Sequence, residues 1–413
     1  MRVKVTIRSV RLAFVAVLAV VGLATVTACT SDSPATVGVA GVKPGTSTQT
    51  VTPTPTPTTT PVTWITTPRS GAKGVQVDTR VSAKTENGTL TKAALSYVSK
   101  KGEKVSVDGW LESGTWTASD LLEPGVKYTF DLAATNEDGE TKRTKRSFTT
   151  ADLTLDDQIW TKVYPDGGTV GIGMPVIVTF DLPVVDKATF EKHMKVTSTP
   201  KQTGSWYWLS DREAHWRPKQ YWKPGTQVHV EANLNGVPAG GGRWGEQSVV
   251  SDFTIGRSVV AKVNLDTHLM DVYISGQKTR TIPISGGRPG WETRSGIKVI
   301  MEKFTNFTMK AESIGLKEGD KDYYEDVKVK RALRITHSGE FLHSAPWSVA
   351  QQGNDNVSHG CTGMSDANSI WLYDQMRIGD VVETVGSNKP MTLGNGYADW
   401  NLSWTAWQGG SAL

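Results

Sequence analysis

From Val62 onward the chain is dominated by short runs in which apolar and polar side chains alternate, and this pattern restricts the fold more than any other feature. The run over residues 126–132 reads Val-Lys-Tyr-Thr-Phe-Asp-Leu. A period of two is typical of a strand with one buried and one exposed face. Asp138-Gly139 lies between two such runs and favours a hairpin turn. Helical periodicity is nearly absent until late in the chain, so the sequence predicts a mainly β protein.

The alternating segments repeat along the chain at an offset of 100 residues. Trp116 is followed eight residues later by Pro124-Gly125 and a strand-like run, and Trp216 is followed in the same way by Pro224-Gly225. The two segments also end alike, on Phe-Thr-Thr and Phe-Thr-Ile. A unit of about 100 residues built from short strands is typical of an immunoglobulin-like sandwich. Chance is the alternative explanation of the repeat.

The domain organisation follows from the repeat and from changes in composition. We predict two tandem immunoglobulin-like sandwiches, the first over residues 62–150 and the second over residues 151–256. A third β-rich unit with one main helix follows over residues 257–385, and a Trp-rich C-terminal tail covers residues 386–413. The main helix is predicted from Ser365 to Met376, because apolar residues recur there at helical spacing. We expect the Trp residues of the tail to pack it onto the body of the protein.

The N-terminus has the pattern of a targeting segment. Basic residues are followed by an apolar run over residues 12–26, which is too short for a good membrane span. The run closes on Val-Thr-Ala-Cys, and a small residue directly before Cys29 resembles a bacterial lipobox. We therefore predict a lipoprotein signal peptide over residues 1–28, lipidation of Cys29, and a location on the outer face of the cell membrane, facing the cell wall. Plain secretion with cleavage near Ala28 is the alternative.

Residues 29–61 follow as a segment rich in Thr, Pro, Ser and Gly. This composition cannot bury a core and favours extended, polyproline-like chain. Fully extended at about 3.1 Å per residue, it would reach on the order of 100 Å. We therefore predict a tether that lifts the folded part away from a membrane.

The chain has two cysteines, Cys29 and Cys361. If Cys29 carries a lipid, Cys361 is left as a lone thiol in a compartment where disulfides form. A nucleophilic role is one reason to keep such a thiol, and a buried, inert cysteine is the alternative. The 45 basic and 41 acidic residues give a formal charge of +4, too small to indicate a nucleic-acid partner.

The densest group of reactive side chains is Ser358-His359-Gly360-Cys361, with His343-Ser344 upstream. These residues can supply a thiol nucleophile, a base, and a residue that orients the base. Gly360 lets the backbone turn tightly and present N–H groups to a carbonyl, as an oxyanion hole requires. A zinc site and a structural thiol with incidental histidines remain alternatives.

His343, fourteen residues, and then Ser358-His359-Gly360-Cys361 resemble the signature of the L,D-transpeptidases of the YkuD type. The run over residues 338–349 is similar to the same stretch in actinobacterial, especially mycobacterial, members. The similarity extends over roughly residues 62–413 and includes Trp216-Arg217-Pro218 and Asp399-Trp400-Asn401. The third unit is thereby identified as a YkuD-type catalytic domain.

The resemblance implies a function and a set of site residues. Cys361 would attack the stem peptide of a tetrapeptide donor, and the amine of a second stem's diamino acid would accept the acyl group, giving a 3→3 cross-link in peptidoglycan. His343 would take and return the proton, and the Ser344 carbonyl would fix the tautomer of the His343 imidazole. The N–H groups of Gly360 and Cys361 would bind the oxyanion, with His359 next to them in the sequence. Substrate contacts are implied at Met309, Tyr324, Ser338, Gly339, Ser358 and Gly363. The resemblance implies no metal or organic cofactor. It also implies that carbapenems acylate Cys361.

One position departs from the family pattern. The family has Asn two residues after the nucleophile, where this chain has Gly363. Asn356 is near in sequence, but nothing in the sequence indicates that it substitutes. Two alternative functions therefore stay open: hydrolysis of stem peptides by a carboxypeptidase or other cysteine peptidase, and a wall-binding scaffold with a degenerate site.

Overall fold

A computed structural model describes residues 60–413 of the chain. The predicted signal peptide, Cys29 and nearly all of the predicted tether lie in residues 1–59, outside that range. The described part is mainly β, as predicted, and its strands form seven sheets in three consecutive groups. No helix within residues 60–413 is long and apolar enough to cross a membrane.

The first group of strands is a sandwich of two four-stranded sheets, with the orders β1-β2-β6-β5 and β4-β3-β7-β8. Trp116 from one sheet packs on Phe130 from the other, with ring centroids 5.0 Å apart, in a core of aliphatic and aromatic side chains. The strands are β1 Thr63–Thr67, β2 Ser82–Glu86, β3 Thr89–Val98, β4 Lys104–Val107, β5 Gly109–Glu112, β6 Thr115–Ala118, β7 Lys127–Thr135 and β8 Thr141–Thr149.

The second group forms another sandwich, with the sheet orders β10-β12-β15-β14 and β11-β19-β16-β13, and a small sheet β17-β18-β9. Gly241 and Gly242 form the turn between two of these short strands, and Gly240 ends the first of them. The strands are β9 Gln158–Ile159, β10 Thr161–Tyr164, β11 Thr169–Val170, β12 Val176–Phe180, β13 Met194–Thr199, β14 Gly204–Trp208, β15 Glu213–Pro218, β16 Gln227–Ala232, β17 Pro238–Gly240, β18 Arg243–Gly245 and β19 Val249–Ile255.

The repeated Trp and Pro-Gly positions occupy equivalent places in the two sandwiches. Trp116 lies on β6 and Trp216 on β15, and each indole covers a glycine of the neighbouring strand. A Cβ atom on Gly109 would lie 2.3 Å from Trp116, and one on Gly204 would lie 2.1 Å from Trp216. The large ring therefore fits in both sandwiches only because its neighbour has no side chain.

The third group holds a five-stranded sheet, β22-β21-β20-β28-β23, and a four-stranded sheet, β24-β25-β26-β27. Asp266 and Thr267 lie in the hairpin turn that joins β20 to β21. Aliphatic side chains from both sheets form one core. The strands are β20 Val259–Asn264, β21 Leu269–Ile274, β22 Gln277–Pro283, β23 Gly296–Val299, β24 Glu302–Met309, β25 Val327–Arg334, β26 Phe341–Ser344, β27 Thr362–Met364 and β28 Val381–Val385.

Three α-helices occur in the described residues: α1 Lys187–Lys192, α2 Asp366–Gln375 and α3 Trp404–Gln408. The longest, α2, lies where the main helix was predicted. The Ser365 side chain caps it by accepting the Asn368 N–H, at 3.3 Å. Short 3-10 helices cover Leu155–Asp157, Ala311–Ile314, Pro346–Ser348 and Asp399–Asn401.

The C-terminal tail packs on the second sandwich, as its Trp residues predicted. The Arg217 guanidinium lies 4.7 Å from the rings of Trp400 and Trp407 and 5.6 Å from that of Trp404. Arg217 also donates to the Leu402 carbonyl at 2.9 Å. These cation–π and hydrogen-bond contacts attach the tail through one buried side chain.

A buried histidine adds an ionic contact between the same two parts. His215, 1% exposed, lies 3.0 Å from the Asp399 carboxylate and 2.8 Å from that of Glu213. Burial alone would lower the pKa of His215, but the two carboxylates raise it to about 9. The imidazole is therefore charged at neutral pH and is paired on both sides.

Candidate active site

The predicted nucleophile and base meet because β26 and β27 run parallel. Their register pairs Leu342 with Thr362 and His343 with Gly363, and Cys361 lies one residue before β27. Side chains alternate along a strand, so His343, Cys361 and Gly363 project from the same face of the sheet. The thiol and the imidazole are thus brought to one side of the sheet by backbone pairing alone.

That face forms the floor of a cavity of about 230 Å³. The wall is mostly apolar and includes seven of the eleven predicted site residues, while Ser344 and Gly360 are direct neighbours of lining residues. The residues that line the cavity are Ser285, Met309, Tyr324, Val327, His343, Ala345, Trp347, Ser348, Val357, Ser358, His359, Cys361 and Gly363.

The tautomer of His343 is fixed by its neighbour. Its Nδ1 lies 2.7 Å from the Ser344 carbonyl oxygen. Because a carbonyl only accepts, Nδ1 carries the proton and donates it, which leaves Nε2 unprotonated in the neutral ring. Burial lowers the pKa of His343 to about 4, so the ring is a neutral base at physiological pH.

The Cys361 thiol is held against the turn that precedes β26. It donates to the Gly339 carbonyl, with sulfur and oxygen 3.5 Å apart. Burial raises the pKa of Cys361 to about 12, although the Phe341 N–H and the charges of Lys298 and Arg334 lower it. The resting site therefore holds a neutral thiol beside a neutral imidazole, rather than a thiolate–imidazolium ion pair.

Hydrogen bonds within residues 358–361 fix the backbone next to the thiol. The Ser358 hydroxyl donates to the Cys361 carbonyl at 2.6 Å and accepts the Gly360 N–H at 3.0 Å. Thr293 donates to the Gly360 carbonyl at 2.8 Å. Gly360 has φ of +117°, which favours glycine. Its N–H, predicted as an oxyanion donor, is already used by Ser358 and must leave that bond to bind an oxyanion.

His359 does not serve as a second free base. Its Nε2 lies 2.9 Å from the Arg288 guanidinium, which also lies 2.5 Å from the Asp322 carboxylate. Burial and Arg288 lower the pKa of His359. The Trp291 indole donates to the same carboxylate at 3.1 Å. Sequence reasoning missed Arg288, Trp291 and Asp322 because no motif marks a contact between residues more than thirty positions apart.

Two predicted substrate residues lie at the ends of the segment that joins β24 to β25. Met309 closes β24, and Tyr324 precedes β25; both line the cavity. The Tyr324 ring lies 5.1 Å from that of His359. The neighbouring Tyr323 donates to Glu312 at 2.9 Å instead. The structure therefore places Tyr324, and not Tyr323, over the cavity.

Ser338 and Gly339 reach the site from a different side. Gly339 contacts the thiol through its carbonyl, as described above. Ser338 is bound to Asn395 of the tail, which accepts the Ser338 N–H at 2.9 Å and donates to its hydroxyl at 2.9 Å. The tail thereby supports the turn that touches Cys361, a contact that the sequence did not indicate.

The glycine that departs from the family pattern leaves no gap in the wall. Gly363 pairs with Ser285 through two backbone hydrogen bonds of 2.9 and 3.0 Å. A Cβ atom on Gly363 would lie 2.9 Å from that of Ala345, which fills the space beside it. Asn356 does not substitute: its amide accepts the Gly286 N–H at 2.8 Å and donates to the Leu265 carbonyl at 2.9 Å.

A metal was one sequence-level alternative for the histidines and Cys361. Within residues 60–413, no group of three or more His, Cys, Asp or Glu side chains is arranged to hold a metal ion. One ring nitrogen of each histidine is engaged: Nδ1 of His343 by the Ser344 carbonyl, and Nε2 of His359 by Arg288.

The neutral state of His343 predicts an acid-dependent loss of stability. The unfolded chain binds a proton at this residue between pH 6.5 and about 4, while the folded protein does not. The unfolding free energy should therefore fall as pH decreases through this window, by about 3 kcal/mol from His343 alone.

In His343→Gln, chemical denaturation at pH 7 and pH 4 should show a correspondingly smaller fall in the unfolding free energy. His337→Gln, which removes an exposed histidine, should keep the wild-type fall; an equal fall in all three proteins would contradict the assignment.

Comparison with known proteins agrees with the resemblance that the motif indicated. The family model of the L,D-transpeptidase catalytic domain (YkuD) matches residues 258–384, and that of a bacterial Ig domain matches residues 72–238.

L,D-transpeptidase 2 of Mycobacterium tuberculosis (strain CDC 1551 / Oshkosh) is 36% identical over 348 residues, which cover 83% of each protein. L,D-transpeptidase 5 of M. tuberculosis (strain ATCC 25618 / H37Rv) is 33% identical over 84% of this chain and 76% of its own length. The solved structure of LD transpeptidase LdtMt1 in complex with imipenem is 33% identical, with a TM-score of 0.48 over 54% of this chain and 97% of that one. The chain therefore belongs to the L,D-transpeptidase family.

Proposed function

We propose that this protein cross-links peptidoglycan stem peptides by acyl transfer through a Cys361 thioester. The observation that carries the proposal is the parallel pairing of β26 and β27, which puts Cys361 and His343 on one face of a cavity. The Nε2 atom of His343 has a free lone pair, because Nδ1 holds the ring proton against Ser344. The pair can therefore move one proton without any other group.

The first half-reaction starts from the neutral pair. As the Cys361 sulfur attacks the carbonyl carbon between the third and fourth stem residues, its proton passes to His343 Nε2. The carbonyl oxygen becomes an oxyanion, for which the Tyr324 hydroxyl and the Cys361 N–H are the proposed donors. The C–N bond then breaks, the leaving amine takes the proton from His343, and a thioester remains.

The second half-reaction reverses these steps with a different amine. The side-chain amine of a second stem's diamino acid attacks the thioester and gives a proton to His343. The carbon–sulfur bond breaks and the sulfur recovers the proton as a thiol, so no net charge is left on the enzyme. Water in place of the amine would give hydrolysis, and the same residues would serve both reactions.

Product analysis tests this function directly. Purified protein is incubated with a disaccharide-tetrapeptide, and the products are read by mass spectrometry. We expect a cross-linked dimer and free terminal D-amino acid, both lost in Cys361→Ala and in His343→Ala. Tripeptide alone would mean that the protein is a hydrolase.

A protein with a degenerate site would give neither product. A carbapenem provides a second readout, because opening of its lactam by a live nucleophile leaves a stable mass increase on the protein. We expect an adduct in the wild type and none in Cys361→Ala. The absence of both adduct and turnover would favour a wall-binding scaffold.

We also propose that the protein is a lipoprotein on the outer face of the cell membrane. The support is the sequence alone: a basic N-terminus, a short apolar run and a small residue before Cys29. A diacylglycerol on Cys29 would hold the catalytic unit near new wall material, with the Thr/Pro-rich segment as spacer.

The lipid anchor is tested separately from catalysis. Cys29→Ser should move the protein from the membrane fraction to the soluble fraction of disrupted cells, while its activity on soluble muropeptides stays unchanged. Thr30→Ser is a matched control and should remain with the membrane. Membrane association of Cys29→Ser equal to that of wild type would exclude lipidation as the anchor.

A further inference from the structure

Two oppositely charged side chains are buried behind the turn that touches Cys361, and the proposed chemistry does not use them. The Lys298 ammonium, on β23, is fully buried and lies 2.8 Å from the Glu340 carboxylate. The Glu340 side chain is 5% exposed. Buried charges are strongly disfavoured unless they are paired, so the two side chains hold each other in place.

Arg294 completes the cluster. Its guanidinium lies 2.8 Å from Glu340 Oε1, and its backbone N–H donates to the same atom at 3.1 Å. Lys298 also contacts the Thr384 hydroxyl at 3.5 Å. One carboxylate thus faces a buried ammonium and a partly exposed guanidinium, and the cluster carries a formal charge of +1.

The cluster contacts the chain on both sides of the thiol. Glu340 lies between Gly339, whose carbonyl accepts from the thiol, and Phe341, whose N–H lowers the pKa of Cys361. On the other side, a Cβ atom on Gly360 would lie 3.8 Å from Glu340 Cγ. The Glu340 side chain therefore supports both the turn before β26 and the residue that precedes the nucleophile.

The cavity wall itself supplies little charge to an anion at Cys361. In the part of the chain that the structure describes, none of the residues that line the cavity is Asp, Glu, Lys or Arg. Lys298 and Arg334 lower the pKa of Cys361 and Glu340 raises it, while Arg334 is itself paired with Glu302 at 2.6 Å. The other titratable groups that face the thiol are His343, His359 and Tyr324.

We propose that Lys298, Glu340 and Arg294 form a positioning cluster for Cys361. The cluster holds the turn at Gly339–Phe341 against the thiol. Its excess positive charge stabilises the negative charge that develops on the Cys361 sulfur as His343 takes the proton. This inference rests on the proposed role of Cys361 as nucleophile. It assigns to Lys298 and Glu340 opposite electrostatic effects on the same sulfur, which a purely structural role would not produce.

The opposite signs define the experiment. The pH dependence of iodoacetamide alkylation is measured in the full chain by mass spectrometry of the peptide that contains Cys361. Lys298→Met leaves a neutral cluster, so the alkylation profile should move to higher pH and the rate at pH 8 should fall on the order of tenfold. Glu340→Gln leaves a charge of +2, so the profile should move to lower pH and the rate should rise by a similar factor. The double variant keeps a charge of +1 and should return towards the wild-type profile.

Two further variants separate charge from folding. Lys298→Arg keeps the charge and should keep the wild-type profile. Lys303→Met removes a different, partly buried lysine, which donates to the Tyr373 and Met376 carbonyls at the end of α2, and it should leave the profile unchanged. If one of the two single variants does not fold, the other still tests the proposal, because the direction of its shift is predicted separately. The double variant then shows whether the unpaired charge caused the loss of folding, because removing both members of a buried pair is better tolerated than removing one.

Superimposable profiles for Lys298→Met, Glu340→Gln and wild type would overturn the proposal, and so would shifts in the same direction. Either result would reduce the cluster to a structural role. A failure of the proposed function would look different: wild-type protein would form no dimer or tripeptide, whatever the alkylation profiles show.

Discussion

The parallel pairing of β26 and β27 is the constraint on which the site depends. Parallel neighbours cannot be joined by a tight turn, so the chain must leave the sheet after Ser344 and return at Cys361. That return brings the sequence-distant His343 and Cys361 to one face and leaves an intervening segment free to line the cavity. Because the side-chain period is two, a slip of one residue in this register would turn the thiol and the imidazole to opposite faces.

The burial that shapes the cavity also determines its resting chemistry. Removal from water penalises both charged forms, which raises the pKa of Cys361 and lowers that of His343. A neutral thiol is a weak nucleophile and a poor target for oxidation. In the proposed mechanism, the sulfur then attacks a substrate carbonyl while His343 accepts the proton. The proposed positioning cluster of Lys298, Glu340 and Arg294 would add a net positive charge behind the turn that contacts the thiol.

Much of the architecture was predictable, because local patterns report local physics. Alternation identified the strands, and the 100-residue repeat marked the two places where a Trp ring covers a glycine. The motif also grouped Cys361 with His343, and the structure places both on one face of the same cavity. What the sequence did not reveal were contacts between distant positions: Arg288 with Asp322, Lys298 with Glu340, and Ser338 with Asn395. The bond from the Gly360 N–H to Ser358 was missed for a different reason, since composition does not show which way a backbone N–H points.

The most direct test is to trap the thioester before an acceptor amine reacts with it. Protein mixed briefly with a defined tetrapeptide donor is quenched in acid, digested, and examined by mass spectrometry. The account predicts that the peptide containing Cys361 gains the mass of the donor without its terminal residue, and that His343→Ala lacks this adduct. Dimer formation without any acylated Cys361, or an adduct that maps to another residue, would contradict it.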